Sequence, residues 1–339
     1  MKDALIGVCV IGAGRAGMMH ARNLAATAGA ALAAIADPEP RALRAASDQF
    51  PGATPYGDYR QALQDRRVQA VVVASPTGSH RDSVVAAAKA GKHILCEKPM
   101  AVNVAECEEM IAAAARHDVK LQIGFMRRFD AGFMAAKARM DSGEIGQAVL
   151  IKSLTHGPNV PKPWMYDISK SNGPLAEVAS HDIDTLRWFS GSEFEEVYSM
   201  AGNYRCQDAR KEYPDFYDNI VMTVRFVNGM QGLICGAQGV GYGYDARLEV
   251  LGTKGILFVG QLRQDSVTVC AAESGLSMSA VKSWWDLFGP AYAAEARSFI
   301  DCIRQDRAPA VTGLDGLQAV KVVNAGNCSV KQRRPVRLD

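Results

Sequence analysis

The chain has 339 residues, which is long enough for two domains and a large buried core. Hydrophobic residues make up 48% of it and charged residues 22%, as is typical of a soluble globular protein. The formal net charge of +2 gives no electrostatic reason to expect nucleic acid or an anionic membrane as a partner, and no apolar run approaches the roughly 20 residues of a membrane-spanning helix.

The eight cysteines are scattered along the sequence and include no Cys-x-x-Cys pair. Some of them, such as Cys9 and Cys96, lie inside apolar runs, where a reduced thiol acts as a small core side chain. This usage predicts a reducing, cytoplasmic location rather than a disulfide-linked scaffold.

The first predicted elements are a strand, a glycine-rich turn, a helix, a second strand and an acid. The strand Leu5–Ile11 leads into Gly12-Ala13-Gly14-Arg15-Ala16-Gly17, and Asp37 follows the second strand about 20 residues after the last glycine. This spacing predicts a dinucleotide site, in which the whole turn and the helix N-terminus contact the pyrophosphate. We expect Asp37 to bind both adenosine ribose hydroxyls, which favours NAD, while Arg41 leaves NADP possible.

The alternation of strands and helices continues to residue 125. One buried strand ends at Ser75, with Thr77 and His80 in the turn that follows, and the next ends at Glu97-Lys98-Pro99. This order predicts a Rossmann domain with a doubly wound parallel sheet over residues 1–125. Because such sheets bind ligands at their carboxyl edge, we expect further cofactor contacts there. These contacts are Ser75, Thr77, His80, Glu97 and Lys98.

A second role, in catalysis, is expected of Lys98. At the carboxyl edge of the sheet, its ammonium group could hydrogen-bond a substrate hydroxyl and stabilise an alkoxide that forms as a hydride leaves. The alternative is a plain ion pair with Glu97 or another neighbour.

After residue 125 the pattern changes to consecutive strand-like runs. A helix at 129–141, a strand at 147–154 and a proline-rich loop at 156–166 precede six runs between 194 and 269. These features predict a second α/β domain, residues 126–339, with a large, mostly antiparallel open sheet. We expect helices near 174–189 and 290–305 to cover one face of that sheet.

The segment Gly173–Asp184 is predicted to form one helix on which Glu177, His181 and Asp184 share a face. Taken alone, the pattern favours a capped core helix with one satisfied histidine. Together with a dinucleotide unit, it favours His181 as the base for a hydroxyl proton and Glu177 as a group that orients it.

Four segments together resemble the glucose–fructose oxidoreductase/inositol dehydrogenase/MocA (Gfo/Idh/MocA) family, and inositol dehydrogenases most closely. They are the glycine turn, Glu97-Lys98-Pro99, the segment Gly124–Asp130 and the Glu177–Asp184 segment, and the likeness spans nearly the whole chain. The resemblance implies NAD(P)-dependent hydride removal from a secondary alcohol of a cyclitol or a sugar. It also implies an open sheet through which the chain forms homodimers or homotetramers.

The resemblance implies roles for individual residues as well. Lys98 matches the catalytic lysine and His181 the general acid/base histidine, while Glu177 stands where the family usually carries aspartate. Because glutamate is longer by about 1.5 Å, we expect the substrate hydroxyl to differ from that of a true inositol 2-dehydrogenase. The expected substrate-binding residues are Arg127, His156, Trp164, Asp184 and Tyr242.

Two further hypotheses remain open. The enzyme could act as an NAD(P)H-dependent keto-sugar reductase, or the chain could be a regulator that binds NAD and sugar without catalysis. The presence of both Lys98 and His181 favours an enzyme. No metal is expected, because the other histidines have no acidic partners at metal-ligand spacing. Those histidines are His20, His80, His93 and His117.

Overall fold

The computed structural model describes residues 5–273 and 275–338, and its packing divides them into two compact units. The first unit comprises the chain up to Phe129 together with Pro290–Val320, and the second comprises Asp130–Gly289 together with the chain from Lys321 onward. The segment Pro290–Val320 thus lies in the first unit, although the sequence division at residue 125 assigned it to the second domain.

The first unit is built on a six-stranded, all-parallel sheet, which confirms the predicted Rossmann architecture. The strand order is β3-β2-β1-β4-β5-β6, so the direction of winding reverses between β1 and β4. Doubly wound sheets bind ligands at such a reversal. The strands are β1 (Ile6–Ile11), β2 (Ala30–Ala36), β3 (Thr54–Tyr56), β4 (Ala70–Val73), β5 (His93–Cys96) and β6 (Leu121–Ile123).

Helices connect these strands. They are α1 (Arg15–Ala25), α2 (Pro40–Gln49), α3 (Tyr59–Gln64), α4 (His80–Lys89) and α5 (Val104–Arg116). The core of this unit also takes Phe299 and Ile300 from the late helix α10 (Trp284–Arg304), which pack with Val8, Val72 and Leu95. The expectation that a helix near 290–305 covers the second sheet was therefore wrong. Its apolar side chains are used in the core of the parallel sheet instead.

The second unit contains a seven-stranded sheet with the order β12-β11-β7-β10-β9-β8-β15. All neighbours are antiparallel except β7 and β10, which confirms the predicted, mostly antiparallel sheet. Its strands are β7 (Ala148–Gly157), β8 (Phe194–Gly202), β9 (Asn219–Phe226), β10 (Gln231–Gln238), β11 (Asp245–Gly252), β12 (Ile256–Val259) and β15 (Val336–Arg337). A separate exposed hairpin consists of β13 (Arg263–Ala271) and β14 (Gly275–Ala280).

Helices cover one face of the seven-stranded sheet. They are α8 (Gly173–Glu177), α9 (Ser180–Ser190) and the second half of α11 (Gly313–Gln332), with α6 (Ala131–Asp141) and α7 (Ile168–Ser171) elsewhere in the unit. Gly232 of β10 allows α9 to pack closely, because a Cβ there would lie 2.8 Å from the Leu186 side chain of α9. None of the helices that the structure describes combines the length and hydropathy needed to cross a membrane.

The predicted single helix over Gly173–Asp184 is in fact two helices. The carbonyl of Pro174 accepts hydrogen bonds from both Val178 N–H (2.9 Å) and Ala179 N–H (3.1 Å), so the turn widens where α8 ends. A new helix, α9, starts at Ser180. Glu177 therefore ends one helix and His181 lies in the first turn of the next, so they do not share a continuous helical face.

Candidate active site

The glycine turn after β1 adopts a conformation that depends on its glycines. Gly12 has a φ of +101°, and a Cβ on Gly17 would lie 1.7 Å from the carbonyl oxygen of Gly12. By contrast, a Cβ on Gly14 would meet nothing within 4 Å. Gly14 is the N-cap of α1, and no side chain of the described residues caps that helix, so its first backbone N–H groups keep their donor capacity. These backbone donors fit an anionic cofactor group.

Asp37 is fixed at the end of β2 by the glycine turn itself. Its Oδ2 accepts a hydrogen bond from Ala13 N–H at 2.6 Å, and its Oδ1 accepts one from Glu39 N–H at 2.8 Å. A carboxylate can accept about four hydrogen bonds. Asp37 therefore retains acceptor capacity for ribose hydroxyls while it orients the turn.

The turn after β4 holds Ser75, Thr77 and His80. Within residues 5–273 and 275–338, the buried hydroxyl oxygen of Ser75 has no hydrogen-bond partner, as expected of a group that awaits a ligand. The His80 ring is buried, with its nitrogens 2.8 Å from the Ser75 carbonyl oxygen and 2.9 Å from that of Pro99. Burial lowers the pKa of His80 against the opposing effect of these carbonyls. His80 thus links two backbone turns, and its predicted contact with the cofactor stays a prediction.

Glu97 and Lys98 follow β5 at the carboxyl edge of the same sheet. Glu97 is buried, and its Oε1 lies 2.7 Å from His20 Nε2, while its Oε2 accepts the backbone N–H of Lys98 at 3.1 Å. Burial raises the pKa of Glu97, but the His20 hydrogen bond and the charges of His20 and Lys98 outweigh it, so the pKa is lowered. Glu97 is therefore ionised at neutral pH. The Lys98 side chain is half-buried.

Arg127 lies in the short 3-10 turn Met126–Phe129, directly after β6, and is 1% exposed. Its neighbour Arg128 pairs with Asp315 at 2.9 Å, which ties this turn to the late segment of the first unit. The first unit thus brings five of the predicted sites to one edge of its sheet, because parallel strands present their carboxyl ends together. They are the glycine turn, Asp37, the Ser75–His80 turn, Lys98 and Arg127.

In the second unit, α9 carries His181 and Asp184, which are 6% and 1% exposed. Between them, the fully buried Asp182 accepts hydrogen bonds from Ser153 Oγ at 2.5 Å and Thr155 Oγ1 at 2.7 Å. These hydroxyls belong to β7, so Asp182 fastens α9 to the sheet. Sequence reasoning missed this anchor, since the two hydroxyls lie almost 30 residues upstream.

We predict that Asp182→Ala lowers the free energy of unfolding by about 2–3 kcal/mol, because it leaves two buried hydroxyls without their acceptor. Urea unfolding followed by circular dichroism measures this, with Asp215→Ala, at an exposed position, as the control. A midpoint for Asp182→Ala equal to that of the control would show that α9 is held by its apolar contacts alone.

His156 and Tyr242 form a second cluster in this unit. His156 Nδ1 lies 2.5 Å from the Tyr242 hydroxyl, and Tyr242 donates to Asp245 at 3.1 Å. Arg247 donates two hydrogen bonds to Asp245, at 2.8 and 2.9 Å, and His156 Nε2 lies 3.3 Å from Cys235 Sγ. Burial and the charge of Asp245 raise the pKa of Tyr242 to about 12, and burial lowers that of His156. Asp245, Arg247 and Cys235 were not predicted.

The two clusters of this unit lie on opposite faces of β7. Successive side chains of a strand point to opposite faces, and Ser153 and Thr155 contact α9. His156, opposite Asp245 in the register, therefore points to the open face. The structure does not place His156 and Tyr242 beside His181, and their predicted contact with a substrate stays a prediction.

The remaining predicted residues, Trp164 and Glu177, lie in separate parts of the second unit. Trp164 is 40% exposed in the 3-10 turn Pro163–Tyr166. That turn is anchored by Tyr166, which is buried against Phe216. Glu177 is half-buried at the end of α8.

Comparisons with known proteins match this architecture from end to end. Residues 6–125 match the family model described as "Oxidoreductase family, NAD-binding Rossmann fold" (GFO_IDH_MocA), and residues 133–258 match the "GFO/IDH/MocA C-terminal domain".

Among named relatives, myo-inositol 2-dehydrogenase of Thermotoga maritima is 33% identical over 330 residues, which are 97% of this chain and 98% of that protein. The scyllo-inositol 2-dehydrogenase (NAD(+)) of Bacillus subtilis is 33% identical over 335 residues, 97% of this chain and 95% of that protein. The solved structure of scyllo-inositol dehydrogenase from Lactobacillus casei, with bound NAD(H) and scyllo-inositol, has a TM-score of 0.89 at 28% identity and covers 98% of this chain and 99% of that one.

Proposed function

The chain belongs to the GFO/IDH/MocA oxidoreductase family, and on that premise we propose that it is an NAD-dependent dehydrogenase which oxidises a secondary ring hydroxyl of an inositol-like cyclitol to a ketone. The observation that carries this proposal is the end-to-end similarity to proteins named as inositol dehydrogenases. The presence of both Lys98 and His181, each at the end of a well-anchored element, supports catalysis rather than binding alone.

Bound NAD supplies the hydride acceptor of the proposed reaction. Its pyrophosphate would be held by the N–H groups of the glycine turn and α1, and its ribose hydroxyls by Asp37. A carboxylate at this position repels a 2′-phosphate, so we propose a preference for NAD over NADP. The buried Ser75 hydroxyl is a further donor for the cofactor.

In the proposed mechanism, His181 takes the proton of the reacting hydroxyl, since an imidazole transfers protons efficiently near neutral pH. Lys98 donates a hydrogen bond to the substrate and stabilises the negative charge that develops during hydride transfer. The Glu97 side chain accepts a hydrogen bond from the backbone N–H of Lys98 and thereby holds the Lys98 backbone in place. Asp182 does the same for His181 by holding α9 on β7.

The decisive experiment is a screen for NAD reduction over inositol isomers, free hexoses, glycosides and sugar phosphates. We expect one or a few inositols to give a kcat/KM at least about tenfold above any hexose, because only a cyclitol presents a complete ring of secondary hydroxyls. Binding of NAD and inositol without turnover would support the regulator hypothesis instead. Turnover confined to keto-sugars with NADH would support the reductase.

We further propose that the open face of the seven-stranded sheet joins copies of this chain into a homo-oligomer. That face exposes large apolar side chains, which water-soluble monomers seldom expose together. They are Met200 (60% exposed), Leu251 (41%), Ile256 (42%) and Phe258 (69%).

We predict that Phe258→Glu shifts the protein to a smaller species in sedimentation velocity, because a charge buried in an apolar interface must be desolvated. Val267→Glu, at an equally exposed position of the hairpin, is the control. Wild-type protein that sediments as a monomer at all concentrations would contradict this proposal.

A further inference from the structure

A second buried carboxyl group, that of Glu295, lies within electrostatic range of Glu97. Glu295 of α10 is 0% exposed, and neither of its oxygens has a hydrogen-bond partner among the residues that the structure describes. Tyr292, one turn earlier on the same helix, contacts the His20 ring edge-on with centroids 5.9 Å apart. His20 is in turn bonded to Glu97. All four residues belong to the first unit.

The surroundings of Glu295 disfavour a negative charge. Burial, and then the charge of Glu97, raise the pKa of Glu295 well above its usual value. His20 from α1, the thiol of Cys96 from β5 and the ammonium group of Lys98 lie within electrostatic range of Glu97, and Tyr292 from α10 contacts His20. Within the described part of the chain, the carboxyl group of Glu97 has a hydrogen-bonding partner and that of Glu295 has none. Two buried acids that differ in this way take different protonation states.

We propose that Glu97 and Glu295 hold one proton between them, carried by Glu295, and that Glu295 is a positioning residue which limits the charge of the pair to a single negative charge. When that proton is lost as the pH rises, a second negative charge appears next to Glu97 and opposes the alkoxide that Lys98 stabilises. This inference rests on the proposed role of Lys98 in the reaction. The location of the proton itself does not depend on any activity.

Infrared difference spectroscopy of the intact protein tests the location of the proton. At pH 7, wild-type protein is expected to show the C=O stretch of a buried protonated carboxyl, displaced in D₂O. That band is lost in Glu295→Gln and kept in Glu108→Gln, a matched change on the exposed face of α5. Absence of the band in wild type overturns the proposal, and this arm needs no variant to fold. A band that survives in Glu295→Gln and disappears in Glu97→Gln overturns it as well.

Thermal stability gives a second readout. An acid whose pKa is raised in the folded state contributes stability that is complete below its unfolded pKa, about 4.3, and is lost as the pH rises towards the folded pKa. The amide of glutamine does not ionise, so Glu295→Gln does not lose stability in this way as the pH rises. The Tm of Glu295→Gln is therefore expected to exceed that of wild type by several degrees at pH 8, and the gap should narrow towards pH 5. A gap that does not change with pH overturns the proposal.

The pH dependence of kcat/KM is the third measurement, and a merely structural role of Glu295 would leave it unchanged. Between pH 7 and pH 9, Glu295→Gln is expected to retain about threefold more of its kcat/KM than wild type, because no second charge can form next to Glu97. Profiles that superimpose overturn the link to Lys98. If the infrared band belongs to Glu295 but no polyol is oxidised, the proposed function fails while the shared proton stands.

Discussion

Lys98→Met is expected to lower kcat by roughly 10²–10⁴-fold while the protein still binds NAD. Methionine preserves the length and much of the apolar stem of lysine but donates no hydrogen bond and carries no charge. The developing alkoxide would then lose its stabilising partner. The substitution does not touch the glycine turn, which is proposed to hold the cofactor. That turn follows β1, whereas Lys98 follows β5.

Two measurements separate these effects. Single-turnover formation of NADH at saturating polyol reports the hydride step, and titration of protein fluorescence with NAD reports binding. Lys89→Met, on an exposed position of α4, controls for loss of a positive charge. Full turnover in Lys98→Met would remove this lysine from the mechanism, and an equal loss in Lys89→Met would point to a general electrostatic effect.

Gly17→Ala is expected to lower the free energy of unfolding by about 3 kcal/mol or more, because the new Cβ would have to displace backbone. That atom would lie 1.7 Å from the carbonyl oxygen of Gly12 and 3.3 Å from a Val10 methyl group, so α1 could not stay against β1. Cofactor binding is expected to be lost with it.

Gly14→Ala, three residues earlier, is the matched comparison. Gly14 has a φ of −73°, which alanine adopts freely, and its Cβ direction is open. Stability should therefore stay within about 0.5 kcal/mol of wild type. NAD affinity should fall at least about tenfold, because the methyl group occupies the space in which the pyrophosphate is expected. Urea unfolding measures the stability of both variants, and NAD titration measures their affinity for the cofactor. Equal stability of the two would contradict the packing role of Gly17, and unchanged NAD affinity in Gly14→Ala would place the cofactor elsewhere.

The parallel sheet could be predicted because its strands are buried on both faces and therefore appear as continuous apolar runs. Residues 70–73 are an example. The glycine turn was equally clear, since steric limits leave few alternatives to glycine at positions such as Gly12 and Gly17. Both the sheet and the turn could be predicted from residues that are close together in the sequence.

What the sequence did not reveal are contacts between distant residues. Glu97 and His20 are 77 residues apart, and no periodicity links them. Helix α10 has an apolar stripe that would suit either sheet, so its place in the core with Val8 and Leu95 could not be chosen in advance. The break between α8 and α9 depends on one carbonyl, that of Pro174, accepting two N–H groups. A helical repeat of apolar residues runs through that break unchanged.

The chain of contacts from Cys235 to Asp245 has a fixed direction. A carboxylate only accepts hydrogen bonds, and Asp245 accepts from both Arg247 and Tyr242, so the Tyr242 hydroxyl gives its hydrogen to Asp245. The Tyr242 oxygen is then free to accept from His156 Nδ1, which leaves Nε2 without hydrogen to receive the Cys235 thiol. An arginine on β11 thereby selects the tautomer of a histidine on β7.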